Sequence, residues 1–255
     1  PTYGRLCWRC LKVFLGWCAE HPTYSQALTT ANPAKSKKVR EVLGKPNVKQ
    51  DALLREQLPA WFDAVGKIEN RIVAAALQVM LLTGARPGEV LGLRWEDVNV
   101  QWRGLTIRDK VEGERVIPLT AYVQHLLSGL PKRRDEDGNS VPFVFSSATS
   151  EDGAMSAPRK HHTAACKVAG IEGLTLHGLR RSFKSLTEWL EVPVGVVAQI
   201  QGHKPSATAE KHYTVRPLDL LRLHHERIEA WMLEQARIAF DRAAEPGKPR
   251  VVAAA

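Results

Sequence analysis

The stretch LTIRDKVEGERVIPLT, residues 105–120, decides the fold class of this chain. Apolar and polar residues alternate on both sides of a glycine-containing turn, which is the pattern of two β-strands joined in a hairpin. We predict strands at 105–109 and 114–120 with the turn at 111–113. Because this two-residue period interrupts a sequence that is otherwise helical, the predicted fold is mainly α with a small antiparallel β-sheet (α+β).

Helical periodicity flanks the hairpin on both sides. Before it, Asp51 stands where it could cap a helix that begins at 52, and Gly84 ends a strongly apolar helix. Pro87 suits the first turn of the next, short helix. After the hairpin we predict a third short strand at 141–147 and four helices at 157–169, 177–190, 194–201 and 217–241.

Composition along the chain predicts four segments. Residues 1–30 are helical over 5–20 but too short for a domain, so we expect the C-terminal remnant of a helical domain. Residues 31–50 are polar and basic and are predicted to be a linker. Residues 51–241 are expected to form one large domain, and 242–255 a flexible tail.

The charge of the chain points to a polyanionic partner. Its 255 residues are 44% hydrophobic, and 36 Lys and Arg against 27 Asp and Glu give a net charge of +9. Such an excess is typical of nucleic-acid-binding proteins, although an ordinary basic protein is an alternative. No apolar run approaches the roughly 20 residues that span a bilayer, and the first residues lack a signal-peptide pattern. We therefore expect a cytoplasmic protein without a membrane partner.

The cysteines do not indicate a metal centre. Cys7 and Cys10 form a CxxC, but no second Cys or His pair follows at zinc-ligand spacing. Cys7 and Cys18 share roughly one helical face with Leu11 and Phe14, so we interpret them as core residues rather than a redox or metal site. We expect neither a metal ion nor another cofactor.

Two basic residues stand at junctions between predicted elements. Arg86 lies between the helix that ends at Gly84 and the helix that begins at Pro87, and Glu89 could orient its guanidinium. A surface ion pair is the alternative. Lys110 ends the first strand of the hairpin, where a lysine is usually solvated, so by itself it carries almost no functional signal.

A third candidate is the sequence HGLRRSF, residues 177–183. Because positions i and i+3 lie on one face of a helix, His177 and Arg180 can face a single anion, while Arg181 points elsewhere. Arginine suits phosphate because its planar guanidinium donates two parallel hydrogen bonds. A solvated basic face at a helix N-terminus is the alternative.

The fourth candidate is GHKPSATAEKHYTV, residues 202–215, where His203, Lys204, Lys211 and His212 surround Tyr213. A half-buried tyrosine with a hydrogen-bonded hydroxyl is the alternative. Taken with the arginines, the set suits transfer of a phosphodiester through a covalent intermediate. Nearby cations favour the phenolate nucleophile, arginines neutralise the phosphate oxygens, and a lysine or histidine protonates the leaving 5′-oxygen.

These motifs together resemble the tyrosine recombinases, or phage-type integrases. TGARPGEVLGLRWEDV is similar to the family's first arginine box, HGLRRSF to its His-x-x-Arg box, and QGHKPSATAEKHY to the box with the second histidine and the tyrosine. The hairpin is similar to the one that carries the family's lysine. The resemblance covers about 50–240 and implies that 51–241 form the catalytic domain. The region before it, 1–30, resembles the end of the family's core-binding domain. Gln201 stands where leucine is common.

The resemblance implies a role for each matched residue. Tyr213 is expected to attack the scissile phosphate and become a 3′-phosphotyrosyl. Arg86 and Arg180 would bind the non-bridging oxygens, and Glu89 would support the first arginine. Lys110 would be the general acid, with His177 assisting proton transfer and His203 contacting the phosphate. The expected contacts to the DNA backbone are those of Lys204, Lys211, Arg216 and Arg181.

The resemblance also implies partners. We expect double-stranded DNA attachment sites, a homotetramer on DNA that is a monomer when free, and accessory DNA-bending or excision factors. The function implied is integration or excision of a mobile element of the prophage or genomic-island type. Alternatives are a type IB topoisomerase, a catalytically idle DNA-binding relative, and a basic helical interaction protein.

Overall fold

The computed structural model describes residues 2–27, 32–44, 49–109, 113–135, 137–203 and 216–241. The chain divides into two compact units, 1–49 and 50–255. No helix within these described ranges is both long enough and apolar enough to cross a bilayer.

The first unit contains two helices. Helix α1 covers Thr2–Glu20 and α2 covers Lys37–Leu43, with short 3-10 turns at Ser25–Ala27 and Pro33–Lys35. Helix α2 therefore lies inside the range predicted to be a linker. The indole of Trp8 donates to the carbonyl of Ala34 at 2.8 Å, which ties α1 to the second turn.

The interpretation of the α1 cysteines as core residues is wrong for most of that face. Cys18 is buried, but Cys7 and Cys10 are exposed. Leu11 and Phe14 are exposed as well. The physical reason is the small number of partners, because the described part of this unit offers only α2 and two short turns to cover a long helix.

The second unit is mainly α-helical, as predicted. Its helices are α3 (Leu58–Gly66), α4 (Arg71–Thr83), α5 (Pro87–Leu91), α6 (Ala121–Ser128), α7 (Arg159–Val168), α8 (Leu176–Thr187), α9 (Val194–Gln201) and α10 (Leu218–Gln235), with 3-10 turns at Arg55–Gln57, Trp95–Asp97 and Glu188–Leu190.

Helix α4 runs through the centre of this unit. The Asn70 side chain caps it by accepting from the backbone of Ile72 and Val73, and every residue from Val73 to Thr83 is buried. Gly84 ends the helix in the left-handed conformation, with φ of 60°. A Cβ added at Gly84 would lie 2.6 Å from the ring of Phe183, so the close packing of α4 on α8 also requires glycine here.

The predicted hairpin is present as two strands of a three-stranded antiparallel sheet. Strand β1 covers Val98–Asn99, β2 covers Gly104–Asp109 and β3 covers Gly113–Pro118, in the order β1-β2-β3. Leu105 pairs with Ile117 and Asp109 with Gly113. The prediction of a third strand at 141–147 is wrong, because that segment makes only two isolated bridges, Phe143 with Arg94 and Ser146 with Ala154. Single bridges do not extend into a ladder there.

The predicted capping role of Asp51 is also wrong. The carboxylate of Asp51 accepts from the backbone N of Thr175 at 3.0 Å and from its hydroxyl at 2.6 Å, far along the chain. Residues 51–54 are irregular, and α3 begins only at Leu58. The hydrogen bonds to Thr175, which is distant in sequence, take the place of the predicted local capping bond.

Helix α10 packs on its own unit. Its buried side chains include Glu229, whose carboxylate accepts from the Thr120 hydroxyl and from the backbone N of Tyr122 at 2.9 Å and of Val123 at 3.2 Å. Glu229 thus caps the N-terminus of α6, a helix that the sequence patterns did not predict. Its cap comes from a residue more than a hundred positions away.

Two buried histidines predict a fold that is sensitive to acid. His225 in α10 donates from Nε2 to the carbonyl of Leu82, and His162 lies in α7. Burial lowers the pKa of each imidazole to about 4. The unfolded chain titrates near 6.5, so the unfolded state binds more protons between pH 6.5 and 4. The free energy of unfolding should therefore fall by roughly 1–2 kcal/mol per histidine between pH 7 and pH 5.

Urea unfolding at the two pH values measures this fall. In His225→Gln the contribution of His225 to this loss of stability should disappear. His161→Gln, at the exposed neighbour of His162, is the control and should lose as much stability between the two pH values as wild type. An unchanged fall in His225→Gln would contradict the assignment.

Candidate functional site

Arg86 is held at the junction of α4 and α5 by two carboxylates. Its Nη1 donates to Glu89 Oε1 at 2.8 Å and to Asp109 Oδ2 at 3.0 Å. The second Glu89 oxygen accepts from the Arg86 backbone N at 2.7 Å, which also caps α5. The Arg86 side chain remains 33% exposed, so its guanidinium is oriented from within the protein while part of it faces solvent.

Among the described residues of the candidate set, Arg180 is the most deeply buried cation. Only 9% of it is exposed, and its Nη1 donates at 2.7 Å to each of two backbone carbonyls, those of Gly84 and Gln201. These carbonyls belong to the residues that end α4 and α9. Burial and the nearby charge of Arg86 lower the pKa of the Arg180 guanidinium to about 10, so it stays charged at neutral pH.

His203 is fixed in one tautomer by Arg180. Its Nε2 lies 2.8 Å from Arg180 Nη2. Because arginine can only donate, Nε2 must accept and the proton of the neutral imidazole is on Nδ1. Burial and the charge of Arg180 lower the pKa of His203, which agrees with a neutral ring. The Nδ1–H group is the donor that such a ring can offer to an anion.

His177 lies in the first turn of α8, one turn before Arg180, as the spacing predicts. Thr175 caps this helix by accepting from the backbone N of Gly178 at 3.1 Å. Burial, followed by the charges of Arg181 and Arg180, lowers the pKa of His177. The imidazole is therefore neutral near pH 7 and able to accept a proton.

Arg181 is directed to a different partner, the carboxylate of Asp51. Its contact with DNA remains a prediction. Arg216 also lies within the described ranges, and its backbone carbonyl accepts from the side chain of Gln199 at 3.2 Å.

Four predicted residues lie outside the described residues: Lys110, Lys204, Lys211 and Tyr213. Asp109, which precedes Lys110, is bonded to Arg86, and His203 precedes the stretch that contains Tyr213. Within the described ranges, no group of three or more His, Cys, Asp or Glu side chains is placed to hold a metal ion.

Sequence reasoning missed Arg115 in strand β3. Its Nη1 and Nη2 donate to the two oxygens of Glu89 at 3.0 and 2.8 Å. A signal was present, because the two-residue period of a strand places Arg115 on the same face as the buried Ile117. An arginine on the inward face of a strand needs a buried partner, and Glu89 supplies it.

The cluster has an excess of positive charge. Three guanidinium groups, those of Arg86, Arg115 and Arg180, are combined with the carboxylates of Glu89 and Asp109. Burial alone would raise the pKa of Glu89, but hydrogen bonds from Arg115 and the Arg86 backbone outweigh it and hold the pKa below its ordinary value. Among the described residues the cluster thus combines three positive with two negative charges, and fixed donors with such a net charge suit an anion such as a phosphodiester.

Comparison with known proteins gives two family matches. The profile of the phage integrase family matches residues 52–217, and that of the phage integrase core-binding domain matches residues 1–41. The chain is 47% identical over 241 residues to prophage integrase IntF of Escherichia coli strain K12, an alignment that covers 94% of this chain and 51% of that protein. The chain thus spans about half the length of the curated relatives it matches.

Solved structures share the fold. A lambda integrase tetramer bound to a Holliday junction matches with a TM-score of 0.58 at 16% identity, covering 80% of this chain and 59% of that one. The Tn1549 transposon integrase in complex with circular intermediate DNA matches with a TM-score of 0.57 at 17% identity, covering 88% and 78%. These likenesses confirm the predicted fold, the catalytic-domain type of tyrosine recombinases and integrases.

The shared carboxylate of Glu89 generates a stability prediction. Glu89→Gln removes the negative charge that lies between two guanidinium groups while preserving the shape of the side chain. Because Arg115, whose side chain is only 17% exposed, then loses its charged acceptor, we expect the free energy of unfolding to fall by about 2–3 kcal/mol. Denaturant unfolding at pH 7 measures it.

Glu96→Gln is the matched control, because Glu96 also pairs with arginines but its side chain is 61% exposed. An exposed pair contributes about 1 kcal/mol or less. Equal losses in the two variants would contradict the importance assigned to Glu89.

Proposed function

Since the chain belongs to the phage integrase family, we propose that it is a site-specific DNA recombinase that cleaves and rejoins strands through a 3′-phosphotyrosyl intermediate. The observation that carries the proposal is the joint placement of Arg86 and Arg180, each oriented by protein oxygens. Two oriented guanidinium groups and a neutral imidazole match the needs of a phosphodiester that gains charge in its transition state. The reaction requires neither ATP nor a metal ion in this scheme.

In the proposed step, the phenolic oxygen of Tyr213 attacks the scissile phosphorus. Its lone pair forms the Tyr–O–P bond, and the bond from phosphorus to the 5′-oxygen breaks with its electron pair on that oxygen. The product strand ends are a 3′-phosphotyrosyl and a 5′-hydroxyl. Attack by a 5′-hydroxyl on the phosphotyrosyl reverses the step, so the energy of the broken bond is conserved for rejoining.

Two protons move in this scheme. The phenol gives up its proton, for which the neutral His177 is the proposed acceptor. Lys110 donates a proton to the departing 5′-oxygen. The hydrogen bond from Arg86 to Asp109, directly before Lys110 in sequence, supports a position for this lysine near the phosphate.

The proposed phosphate contacts come from Arg86, Arg180 and His203. Arg86 and Arg180 bind the non-bridging oxygens and neutralise their charge as it builds up. His203 donates from Nδ1–H, since its Nε2 accepts from Arg180. The carbonyls of Gly84 and Gln201 keep Arg180 oriented before DNA arrives, so little reorganisation is required.

A basic surface beside the site supports double-stranded DNA as the partner. Arg159 begins α7, and its charge contributes to the lowered pKa of His177. It lines a cleft of about 770 Å³ together with Arg133 and Lys160. Basic side chains that line a cleft suit the DNA backbone, and Lys204, Lys211, Arg216 and Arg181 are proposed to extend the contact.

The assembly we propose follows the structural neighbours. The lambda integrase structure is a tetramer bound to a Holliday junction. We infer a homotetramer on two attachment sites, a monomer when free, and accessory DNA-bending or excision factors. Integration or excision of a mobile element is the proposed biological outcome, on the likeness to a prophage integrase.

A covalent trap tests the proposal. The chain is incubated with a DNA duplex that carries the core of the junction between element and chromosome. The duplex is nicked, so that the fragment with the 5′-hydroxyl diffuses away after cleavage and the covalent intermediate is trapped. Wild type should give a DNA-linked band that survives detergent. Tyr213→Phe should give none, because the variant lacks the nucleophilic oxygen.

Tyr3→Phe is the matched control, since Tyr3 is 78% exposed and lies in α1. It should retain the wild-type yield. A detergent-stable band in Tyr213→Phe would place the nucleophile elsewhere. Exchange of strands between two sites, rather than relaxation of a supercoiled plasmid alone, separates a recombinase from a topoisomerase.

A further inference from the structure

Arg115 connects three parts of the site. It belongs to β3, its two terminal nitrogens bind Glu89 in α5, and its Nε donates at 3.2 Å to the carbonyl of Ile200 in α9. Its side chain is 17% exposed. All three of its nitrogens therefore donate to protein oxygens, and none of these acceptors is part of a substrate.

The contact with α9 is close. Gly202 follows α9 with φ of 73°, and a Cβ added there would lie 2.6 Å from the central carbon of the Arg115 guanidinium. The backbone of Gly202 therefore lies directly against the plane of Arg115. His203 is the next residue, so Arg115 also influences the position of the His203 side chain.

Glu89 depends on Arg115 for its orientation. Its two oxygens accept four hydrogen bonds, one from the Arg86 backbone, one from the Arg86 guanidinium and two from Arg115. Without Arg115, half of these bonds are lost, and the carboxylate can rotate towards Arg86 alone. The direction in which Arg86 points would then be less defined.

We propose that Arg115 is a positioning residue of the strand-cleavage reaction, which fixes Arg86 through Glu89 and His203 through Ile200 and Gly202. The proposal rests on the proposed function and adds to it a residue that acts through others. Lysine does not reproduce this arrangement, because its ammonium is a single point charge and lacks the planar fork that binds both oxygens of Glu89 while Nε reaches the Ile200 carbonyl.

The decisive experiment compares two DNA substrates in single-turnover cleavage. One carries the normal scissile phosphodiester. In the other, a methylphosphonate replaces it, which removes a non-bridging oxygen and its negative charge. A residue that acts through phosphate-binding arginines is needed less on the uncharged substrate. A residue that only stabilises the fold is needed equally on both.

Arg115→Lys should lower the cleavage rate on the phosphodiester by about 10- to 100-fold, as expected for misplacement of a catalytic group. On the methylphosphonate the loss should shrink to a few-fold. Non-covalent DNA affinity should stay at the wild-type value. Arg108→Lys is the matched control, because Arg108 lies in β2 of the same hairpin and pairs with Asp97 outside the cluster. It should cleave both substrates like wild type.

A wild-type rate in Arg115→Lys would overturn the proposal, and so would an equal loss on both substrates. Thermal unfolding of each variant shows that the rates are measured on folded protein. Arg115→Lys retains the positive charge and is therefore the variant that tests the proposal. Arg115→Met, which also removes the charge, is a second and more disruptive substitution.

A measurement on the protein without DNA separates this inference from the proposed function. Side-chain ¹⁵N NMR follows the rotation of the Arg86 guanidinium, which should be slow in wild type and in Arg108→Lys but fast in Arg115→Lys. Unchanged rotation in Arg115→Lys would overturn the positioning role whatever the cleavage assay gives. If wild type itself does not cleave, the proposed function fails, while the NMR result still decides whether Arg115 fixes Arg86.

Discussion

The structure depends on one constraint, that the buried guanidinium of Arg180 must find hydrogen-bond acceptors within the protein. A charge taken out of water costs several kcal/mol unless it is hydrogen-bonded. Arg180 obtains two of its acceptors from the carbonyls of Gly84 and Gln201, which end two different helices. The ends of α4 and α9 are thereby drawn to α8. Gly84 suits this place because it adopts the left-handed conformation and lets Phe183 pack against its backbone.

The same constraint explains why the site is prepared for an anion. Arg180 and Arg86 lie near enough to each other that the charge of Arg86 contributes to the lowered pKa of Arg180. Glu89 and Asp109 offset part of this repulsion, and Arg115 in turn balances Glu89. An anion that enters between the arginines would relieve the remaining repulsion. The cost of assembling the cluster is met during folding, so the donors are already oriented before an anion binds.

Local patterns predicted the elements well, and the site in part. The two-residue period at 105–120 and the helical periods around it gave the mainly α fold with a small antiparallel sheet, because these signals depend on neighbours in sequence. The i and i+3 spacing placed His177 and Arg180 correctly on one helix. Contacts between distant residues were not accessible in this way. Asp51 binds Thr175 instead of capping a helix, Glu229 caps α6 from far along the chain, and Arg115 meets Glu89 only when β3 packs against α5.

The central claim is that Tyr213 carries the DNA strand, and mass spectrometry of the trapped complex tests it most directly. After nuclease and trypsin digestion, the account predicts a nucleotide attached through its 3′-phosphate to the peptide 212–222, with fragment ions that assign it to Tyr213. A nucleotide on any other residue, or one attached through a 5′-phosphate, would contradict the account.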